Sequence, residues 1–136
     1  IGIASQALGM LRTLRDSCAH ELHSLPPPQA QSNQGRMFSL ADIECLYQSS
    51  RTLTLRAAIL KQQGNGRFSR QAAMAKYYTT EAVNKAATLA SDVLGIASMS
   101  THHPIDRILR DARVTTIYEG TSQIQKTVIA RDLLAV

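Results

Sequence analysis

Apolar residues recur at steps of three and four along three long segments of the chain. The first set comprises Ile3, Ala7, Leu11, Leu14, Cys18 and Leu22. The second set comprises Ile43, Leu46, Tyr47, Leu53, Ala57 and Leu60, and the third comprises Ala75, Tyr78, Ala82, Ala86, Leu89 and Val93. Because this spacing lines one face of a helix, the pattern predicts three long amphipathic helices.

Prolines, glycines and polar runs separate these segments. The run Pro26–Pro28 ends the first helix near Leu22, since each proline removes an amide donor and fixes φ. The polar residues that follow, as far as Gly35, show no periodicity and predict a loop. Ser39 followed by Asp42 is typical of a helix start. We therefore expect the second helix to begin at Ser39.

The breaker Gly64-Asn65-Gly66 ends the second helix, Ser69 is a candidate cap for the third, and Gly95 is its candidate left-handed stop. Pro104 suits the first turn of a short helix through Arg113. The β-branched residues Val114 to Ile117 then lead to a turn at Gly120. A last helix is predicted from Thr121 to about Leu134.

Composition agrees with a helical fold. The chain is 44% apolar, enough for a core, but only 4% aromatic, and this favours packed helices over a sheet sandwich. Ala82, Ala86 and Ala90 allow a neighbouring helix to approach closely. We therefore predict one all-α domain over residues 1–136, an up-and-down four-helix bundle.

Charge and cysteine content limit the kinds of ligand and partner that the sequence favours. The formal net charge of +5 is spread along the chain and does not form a basic run, so a nucleic-acid partner is disfavoured. Cys18 and Cys45 have no Cys-x-x-Cys spacing, which predicts reduced thiols in place of a disulfide or a zinc site. His20 with His23, and His102 with His103, lack a third ligand at metal-site spacing, so no metal is expected.

Targeting signals are not evident in the sequence. No apolar stretch approaches the length of a membrane span, and the start at Ile1 carries no basic segment or cleavage site. We therefore expect a soluble protein of the cytoplasm, or of the mitochondrial matrix in a eukaryote. The absence of an initiating Met, in a segment that already has helical spacing, predicts further residues upstream.

The most informative stretch lies near the end of the chain, as Arg110-Asp111-Ala112-Arg113, Ile117-Tyr118-Glu119-Gly120-Thr121-Ser122-Gln123-Ile124-Gln125 and Ile129-Ala130-Arg131. It resembles the C-terminal signature of acyl-CoA dehydrogenases. Weaker similarity extends across the chain, at Gly2-Ile3-Ala4, Gln34, Leu40-Ala41-Asp42, Ala57-Ala58, Ala73-Met74-Ala75-Lys76 and Pro104. The resemblance covers the helical C-terminal domain of that family.

The resemblance implies a flavoenzyme that oxidises the bond between the α and β carbons of an acyl-CoA thioester to the trans-2-enoyl product. Glu119 occupies the family's position for the base that takes the α-proton, while the β-hydrogen leaves as hydride to FAD. Because a thioester α-proton is a poor acid, such a base needs a water-poor site. Because Gly120 has no side chain, it lets the chain turn sharply beside the thioester.

Further cofactor contacts follow from the same resemblance. Thr121, Ser122 and Gln123 open a helix, whose positive end favours an anionic group, and in relatives this stretch touches FAD. Gln34 matches another FAD-contacting position, although Asn33 precedes it where relatives have an aromatic residue. The family also implies a homodimer or homotetramer, with an electron-transfer flavoprotein as a possible partner.

Two family elements are altered. Relatives carry Arg-x-x-Phe-Gly after the first helix, with the arginine on the FAD pyrophosphate of a neighbouring subunit, whereas this region runs from Cys18 to Pro28. The family's Gln-x-x-Gly-Gly-x-Gly element is replaced by the segment from Asp92 to Ser98. These changes leave a non-catalytic assembly subunit as an alternative, and an acyl-CoA oxidase using the same base as another.

Local chemistry offers a plainer interpretation of each residue. Without its flanks, a glutamate before Gly-Thr at a helix start is most often a cap or a solvated partner of the helix dipole. Arg110 and Asp111 are expected to be structural, and Tyr47, Tyr77 and Tyr78 to be packing residues.

Overall fold

The computed structural model describes residues 1–26, 33–64 and 68–135 of the chain. Its elements, in order, are α1 (Gly2–Ser24), α2 (Gln34–Gln62), α3 (Phe68–Leu94), a 3-10 helix (Gly95–Met99), α4 (Pro104–Thr115) and α5 (Ser122–Leu134). The described residues contain no β-strand. The predicted all-α class is confirmed.

The start of α2 differs from the prediction. The helix begins at Gln34, not at Ser39, and includes Gly35. Leu40, in this first part of α2, packs against the main hydrophobic core, and it lines a cleft with Leu22 of α1. The helix therefore begins more than one turn before the local start signal, over a segment that includes the exposed Met37 and Phe38. Of the predicted loop from Pro26 to Gly35, residues 27–32 lie outside the described part of the chain.

Helix α3 begins at Phe68, so Ser69 lies inside the helix and is not its cap. Of the predicted breaker, Asn65 and Gly66 lie outside the described residues.

The remaining boundaries agree closely with the sequence. Gly95, with φ of +57°, follows the last residue of α3. At the start of α4, the Nδ1 atom of His103 accepts a hydrogen bond from the amide of Ile105 (3.3 Å), ahead of Pro104 in the first turn. Helix α4 continues to Thr115, so the β-branched stretch is partly helical. Thr121 is the N-cap of α5.

Contacts between helices fix their directions. Arg15 pairs with Glu44 (3.6 Å), and Leu22 lies near Leu40, so α1 and α2 are antiparallel. Residues further along α3 contact residues earlier in the last part of the chain. Arg70 pairs with Asp132, Lys76 donates to the Gly120 carbonyl, and Asn84 donates to the Ala112 carbonyl. Helices α4 and α5 therefore run antiparallel to α3, and together they form the fourth arm of an up-and-down bundle.

Helix α3 forms much of the core. Its alanines include Ala75, Ala86 and Ala90, each with no exposed surface. Ala86 and Ala90 belong to one cluster with fully buried side chains such as Leu11, Leu14, Ile43 and Ile105. Ala75 belongs to a second cluster, with Ala4 and Ala57. Small residues on the central helix let its neighbours approach closely, so the fourth arm lies directly against α3.

Polar residues also enter the core. Thr54 of α2 is 5% exposed, and its hydroxyl donates to the carbonyl of Ser50 (2.8 Å). Thr80 of α3 is fully buried and donates to the carbonyl of Lys76 (2.9 Å). A hydroxyl that returns its hydrogen bond to its own helix can be buried without a distant partner. The predicted apolar stripes omitted these residues.

Both cysteines are free. Cys18 is fully buried between the helices, and burial raises the pKa of its thiol to about 12. Cys45 is exposed. None of the helices in the described part of the chain combines the length and apolarity required to cross a membrane.

Candidate functional site

The turn between α4 and α5 has an unusual backbone. Glu119 has φ of +54° and Gly120 has φ of +93°, two consecutive left-handed conformations. Glycine adopts this region freely, but for an L-residue such as glutamate it costs about 1–2 kcal/mol. Such strain persists only where the surrounding structure holds it in place. The turn therefore fixes Glu119 in one orientation at the expense of stability.

Hydrogen bonds from two helices hold the turn. Nε2 of Gln125, on α5, lies 3.3 Å from both the Glu119 and the Gly120 carbonyl oxygens. Nζ of Lys76, on α3, donates to the Gly120 carbonyl at 2.7 Å. Tyr118 donates its hydroxyl hydrogen to Oε1 of Gln6 on α1. The carbonyls of the turn are thus held by α5 and α3, and the side chain of Tyr118 adds a hydrogen bond to α1.

Close packing explains why a glycine follows Glu119. A Cβ atom added at Gly120 would lie 2.6 Å from Nε2 of Gln125. A side chain at this position would therefore displace the amide that holds both carbonyls. The φ of +93° is the stronger reason for glycine here, because the Gln125 side chain is flexible and can move away, at the loss of its hydrogen bonds to the turn.

Glu119 faces a cleft of about 370 Å³ between the turn and the starts of α1 and α3. The same cleft is lined by Ile1, Ile3, Ala73 and Lys76. Glu119 is exposed, so these described residues alone do not provide a water-poor environment for its carboxylate. The cleft combines a carboxylate with an apolar wall, an arrangement that suits a proton acceptor beside an apolar substrate.

Lys76 is the least expected member of this cleft. The residue is only 4% exposed, and burial lowers the pKa of its ammonium group, while the nearby negative charge of Glu81 opposes that shift. In the sequence, Lys76 stands out only as part of the stretch Ala73-Met74-Ala75-Lys76 that resembles the family. A signal was present, because Lys76, Thr80, Val83 and Ala87 share one helical face, and the last three are small or apolar.

A second, smaller cavity of about 130 Å³ lies at the start of α5. It is lined by Arg113, Thr121, Ser122 and Gln123, and also by Glu81, whose carboxylate accepts the hydrogen bond of the Ser122 hydroxyl. Unpaired amides and the positive end of a helix favour an anionic group, and the guanidinium of Arg113 adds a positive charge. These donors fit a phosphate-bearing cofactor such as FAD, although the cavity has room for only a small part of one.

The three predicted cofactor residues at this helix start differ in accessibility. Oγ1 of Thr121 accepts a hydrogen bond from the amide of Ile124 (3.3 Å) and so caps the helix. Ser122 is 5% exposed, with its hydroxyl donating to Glu81 (2.5 Å) and its amide to the Thr116 carbonyl (3.0 Å). Gln123 is exposed. The structure therefore leaves Gln123 and Thr121 better placed than Ser122 to reach a ligand.

Gln34 lies far from the other predicted site residues. It is exposed at the first residue of α2, near the end of α1, whereas Glu119 lines a cleft with the start of α1. Helix α1 has 23 residues, so it is roughly 30 Å long at the usual rise per residue. Within one chain, Gln34 and Glu119 belong to opposite ends of the bundle.

The segment from Asp92 to Ser98, which replaces a glycine-rich family element, ends α3 and enters the 3-10 helix. Ile96 is 88% exposed there, and the nearby Met99 is 77% exposed. The other altered region, Cys18 to Pro28, continues α1 as far as Ser24. Its last two positions lie outside the described residues.

The remaining candidate residues show ordinary contacts. Arg110 pairs with Asp106 (2.7 Å) along α4, as does Arg107 with Asp111 (3.9 Å), and such exposed pairs contribute little stability. Tyr47 and Tyr77 each lie beneath a cation, Arg15 and Lys126 respectively. Across the described ranges, no three His, Cys, Asp or Glu side chains are grouped to hold a metal ion.

Comparison with known proteins identifies the domain. Residues 1–134 match the family model of the acyl-CoA dehydrogenase C-terminal domain. The chain is 42% identical over 137 residues to the short-chain specific acyl-CoA dehydrogenase of rat mitochondria (Rattus norvegicus), covering 98% of this chain and 33% of the relative. An acyl-CoA dehydrogenase of Bacillus subtilis is 38% identical, with coverage of 98% and 36%.

Solved structures show the same similarity. Butyryl-CoA dehydrogenase from Megasphaera elsdenii superposes with a TM-score of 0.91 at 30% sequence identity, covering 98% of this chain and 35% of that one. The chain thus spans about a third of the length of the curated relatives it matches.

Proposed function

Because the chain belongs to the acyl-CoA dehydrogenase family, we propose that it forms part of a flavoenzyme that oxidises acyl-CoA thioesters to trans-2-enoyl-CoA. The relatives that carry short-chain names support a short acyl group as substrate. The observation that carries the proposal is the left-handed turn, which holds a glutamate at the mouth of a cleft despite its cost in backbone strain.

In the proposed reaction, a carboxylate oxygen of Glu119 takes the α-proton of the bound thioester. The apolar side chains that line the cleft, such as Ile1, Ile3 and Ala73, are assigned to the acyl chain. Because Glu119 is exposed in this domain, exclusion of water from its carboxylate, which catalysis by such a base requires, depends on the bound substrate and flavin as well. The missing side chain at Gly120 leaves room for the thioester to approach the backbone. We assign the amide of Glu119 to the thioester carbonyl oxygen, where negative charge develops as the proton departs.

FAD, when bound, supplies the acceptor for the hydride that leaves the β-carbon. Thr121 and Gln123 are the residues that we assign to its binding, with Arg113 as an additional positive charge in the same cavity. Ser122 supports this binding indirectly, since its hydroxyl bonds to Glu81 and holds the start of α5 against α3. If Gln34 also contacts FAD, the distance from Glu119 requires the flavin of another site, as in the homodimer or homotetramer that we propose.

The first test is the visible absorption spectrum of the parent protein, before and after anaerobic addition of short saturated acyl-CoA thioesters. We expect bound flavin whose absorption bleaches on addition of substrate. The Glu119→Gln variant should bind FAD and fold normally but bleach at least about 100-fold more slowly, the typical contribution of a general base. Equal bleaching in both proteins would exclude Glu119 as the base.

One observation favours an alternative, a non-catalytic assembly subunit of the same family. The segment from Asp92 to Ser98 lacks the glycine-rich element and exposes Ile96. A parent protein that remains colourless with added FAD would support this alternative. If flavin is bound and reduced, its reoxidation distinguishes a dehydrogenase from an acyl-CoA oxidase: fast reaction with an electron-transfer flavoprotein indicates the former, and fast reaction with oxygen the latter.

A further inference from the structure

Lys76 occupies a position where a charged side chain is costly. The residue is 4% exposed and lies on the buried face of α3. Removing an ammonium group from water is unfavourable unless it is well paired. A methionine would fill similar space without this penalty, so packing alone does not account for a lysine here. Lys76 does make one contact that a methionine could not make, a hydrogen bond from its Nζ to the Gly120 carbonyl at 2.7 Å.

The Gly120 carbonyl belongs to the left-handed turn that presents Glu119. Gln125 also approaches this carbonyl, but at 3.3 Å and from α5, the helix that the turn itself leads into. Lys76 approaches from α3, the central helix of the bundle. Of these two donors, only Lys76 therefore links this peptide group to a helix outside the α4–α5 arm.

The charge on Lys76 has its own support. Glu81, one turn and a half further along α3, opposes the effect of burial on the pKa of Lys76 and also accepts the hydrogen bond from Ser122 (2.5 Å). A charged donor makes a stronger hydrogen bond than a neutral one. Lys76 and Glu81 together fix the two sides of the turn, at Gly120 and at Ser122.

We propose that Lys76 is a positioning residue for Glu119: by holding the Gly120 carbonyl against α3, it keeps the left-handed turn in the orientation that directs the Glu119 carboxylate into the cleft. The proposal rests on the proposed function in so far as Glu119 is the base. Its structural part, that Lys76 restrains the turn, is independent of the reaction.

The experiment uses the full-length parent enzyme with bound FAD. Lys76→Met removes the donor but keeps an unbranched, similarly long side chain, and Lys76→Arg keeps a cationic donor. Lys85→Met is the matched control, since Lys85 lies on the same helix but is exposed. The measurements are kcat and KM with a short acyl-CoA, and amide hydrogen exchange of the segment 117–121.

We expect Lys76→Met to lower kcat on the order of 100-fold, the effect of misplacing a reacting group by about 1 Å, with KM changed less than threefold. Exchange of the segment 117–121 should accelerate in the same variant. Lys76→Arg should recover part of kcat and of the protection from exchange, and Lys85→Met should match the wild type in both measurements.

A Lys76→Met enzyme with wild-type kcat and wild-type exchange would overturn the proposal. So would a loss of activity that Lys76→Arg does not relieve, accompanied by unchanged exchange in the turn. If Lys76→Met does not fold, Lys76→Gln replaces it: its shorter, uncharged side chain should also lower kcat and accelerate exchange of the segment 117–121, and wild-type values of both would contradict the proposal. Full activity of Glu119→Gln instead refutes the proposed function while leaving the exchange result for Lys76 valid.

Discussion

At Glu119 the backbone adopts a conformation that most side chains avoid, with φ of +54°. The neighbouring Gly120, with φ of +93°, completes the reversal, and Gln125 and Lys76 bond to its carbonyl. Glycine or asparagine would adopt this backbone conformation more readily than Glu119, but neither has a carboxylate. The strain at this single residue is therefore consistent with a position selected for its chemistry at some cost in stability.

The requirement for glycine in the turn predicts a large effect of Gly120→Ala. The added methyl group would lie 2.6 Å from Nε2 of Gln125, and the alanine backbone would have to adopt a disfavoured φ. The free energy of unfolding should therefore fall by about 2 kcal/mol. Gly64→Ala is the matched control, because Gly64 also has positive φ (+66°), but an added Cβ there has no atom of the described residues within 4 Å. Its loss should be about 1 kcal/mol.

Urea denaturation of the parent protein measures both changes. A smaller loss for Gly120→Ala than for Gly64→Ala would show that the contact with Gln125 does not constrain the turn.

Among the helices, α3 supports the fourth arm at successive points. Asn84 donates to the carbonyl of Ala112 at the end of α4 (3.1 Å), Lys76 to that of Gly120, and Arg70 pairs with Asp132 near the end of α5 (2.6 Å). The arm is divided into two short helices, and the Glu119 turn occupies the division. A continuous fourth helix would have no such turn, so the interruption in this arm creates the candidate site.

The N-cap of α5 is expected to contribute to the stability of the protein. The hydroxyl of Thr121 accepts a hydrogen bond from the amide of Ile124, and loss of such a cap typically costs about 1 kcal/mol. We expect Thr121→Ala to lower the free energy of unfolding by that amount, whereas Thr121→Ser, which keeps the hydroxyl oxygen, should remain within a few tenths of wild type. Thermal denaturation of the two variants provides the comparison.

Equal destabilisation by Thr121→Ala and Thr121→Ser would indicate that the methyl group of Thr121, and not its hydroxyl, stabilises the start of the helix.

For the whole molecule, stability depends on close approach to α3. Its alanines are buried against α1, α2 and the fourth arm, and larger side chains there would separate the helices. The candidate cleft depends on the same spacing, because it lies between the Glu119 turn and the starts of α1 and α3. Packing of the bundle and geometry of the site are therefore coupled.

This coupling predicts a specific effect of enlarging the core. Ala86 is fully buried on α3, so Ala86→Leu should destabilise the parent protein by about 1–3 kcal/mol through overpacking. Ala58→Leu, at an exposed position of α2, should change stability by less than about 0.5 kcal/mol. Chemical denaturation measures both, and a neutral Ala86→Leu would mean that α3 is not tightly packed at this level.

The sequence by itself determined the helices, the position of most of their ends and the family. Stripes such as Ala7, Leu11 and Leu14 record which face of a helix is buried, and Pro104 and Gly95 set the backbone locally. These features depend on neighbours within a few residues in the chain, and the motif around Glu119 is contiguous. Local pattern was therefore sufficient to predict the bundle, and the resemblance of this contiguous motif to acyl-CoA dehydrogenases selected Glu119 as a candidate.

Only the tertiary structure decided which residues act together. Helix α2 begins at Gln34 and not at Ser39, and the length of α1 separates Gln34 from Glu119. The inward hydrogen bond of Ser122 and the contact of Lys76 with Gly120, 44 residues apart, join elements that are distant in sequence. Periodicity does not encode such pairs, because the direction and separation of packed helices arise only when their buried faces meet.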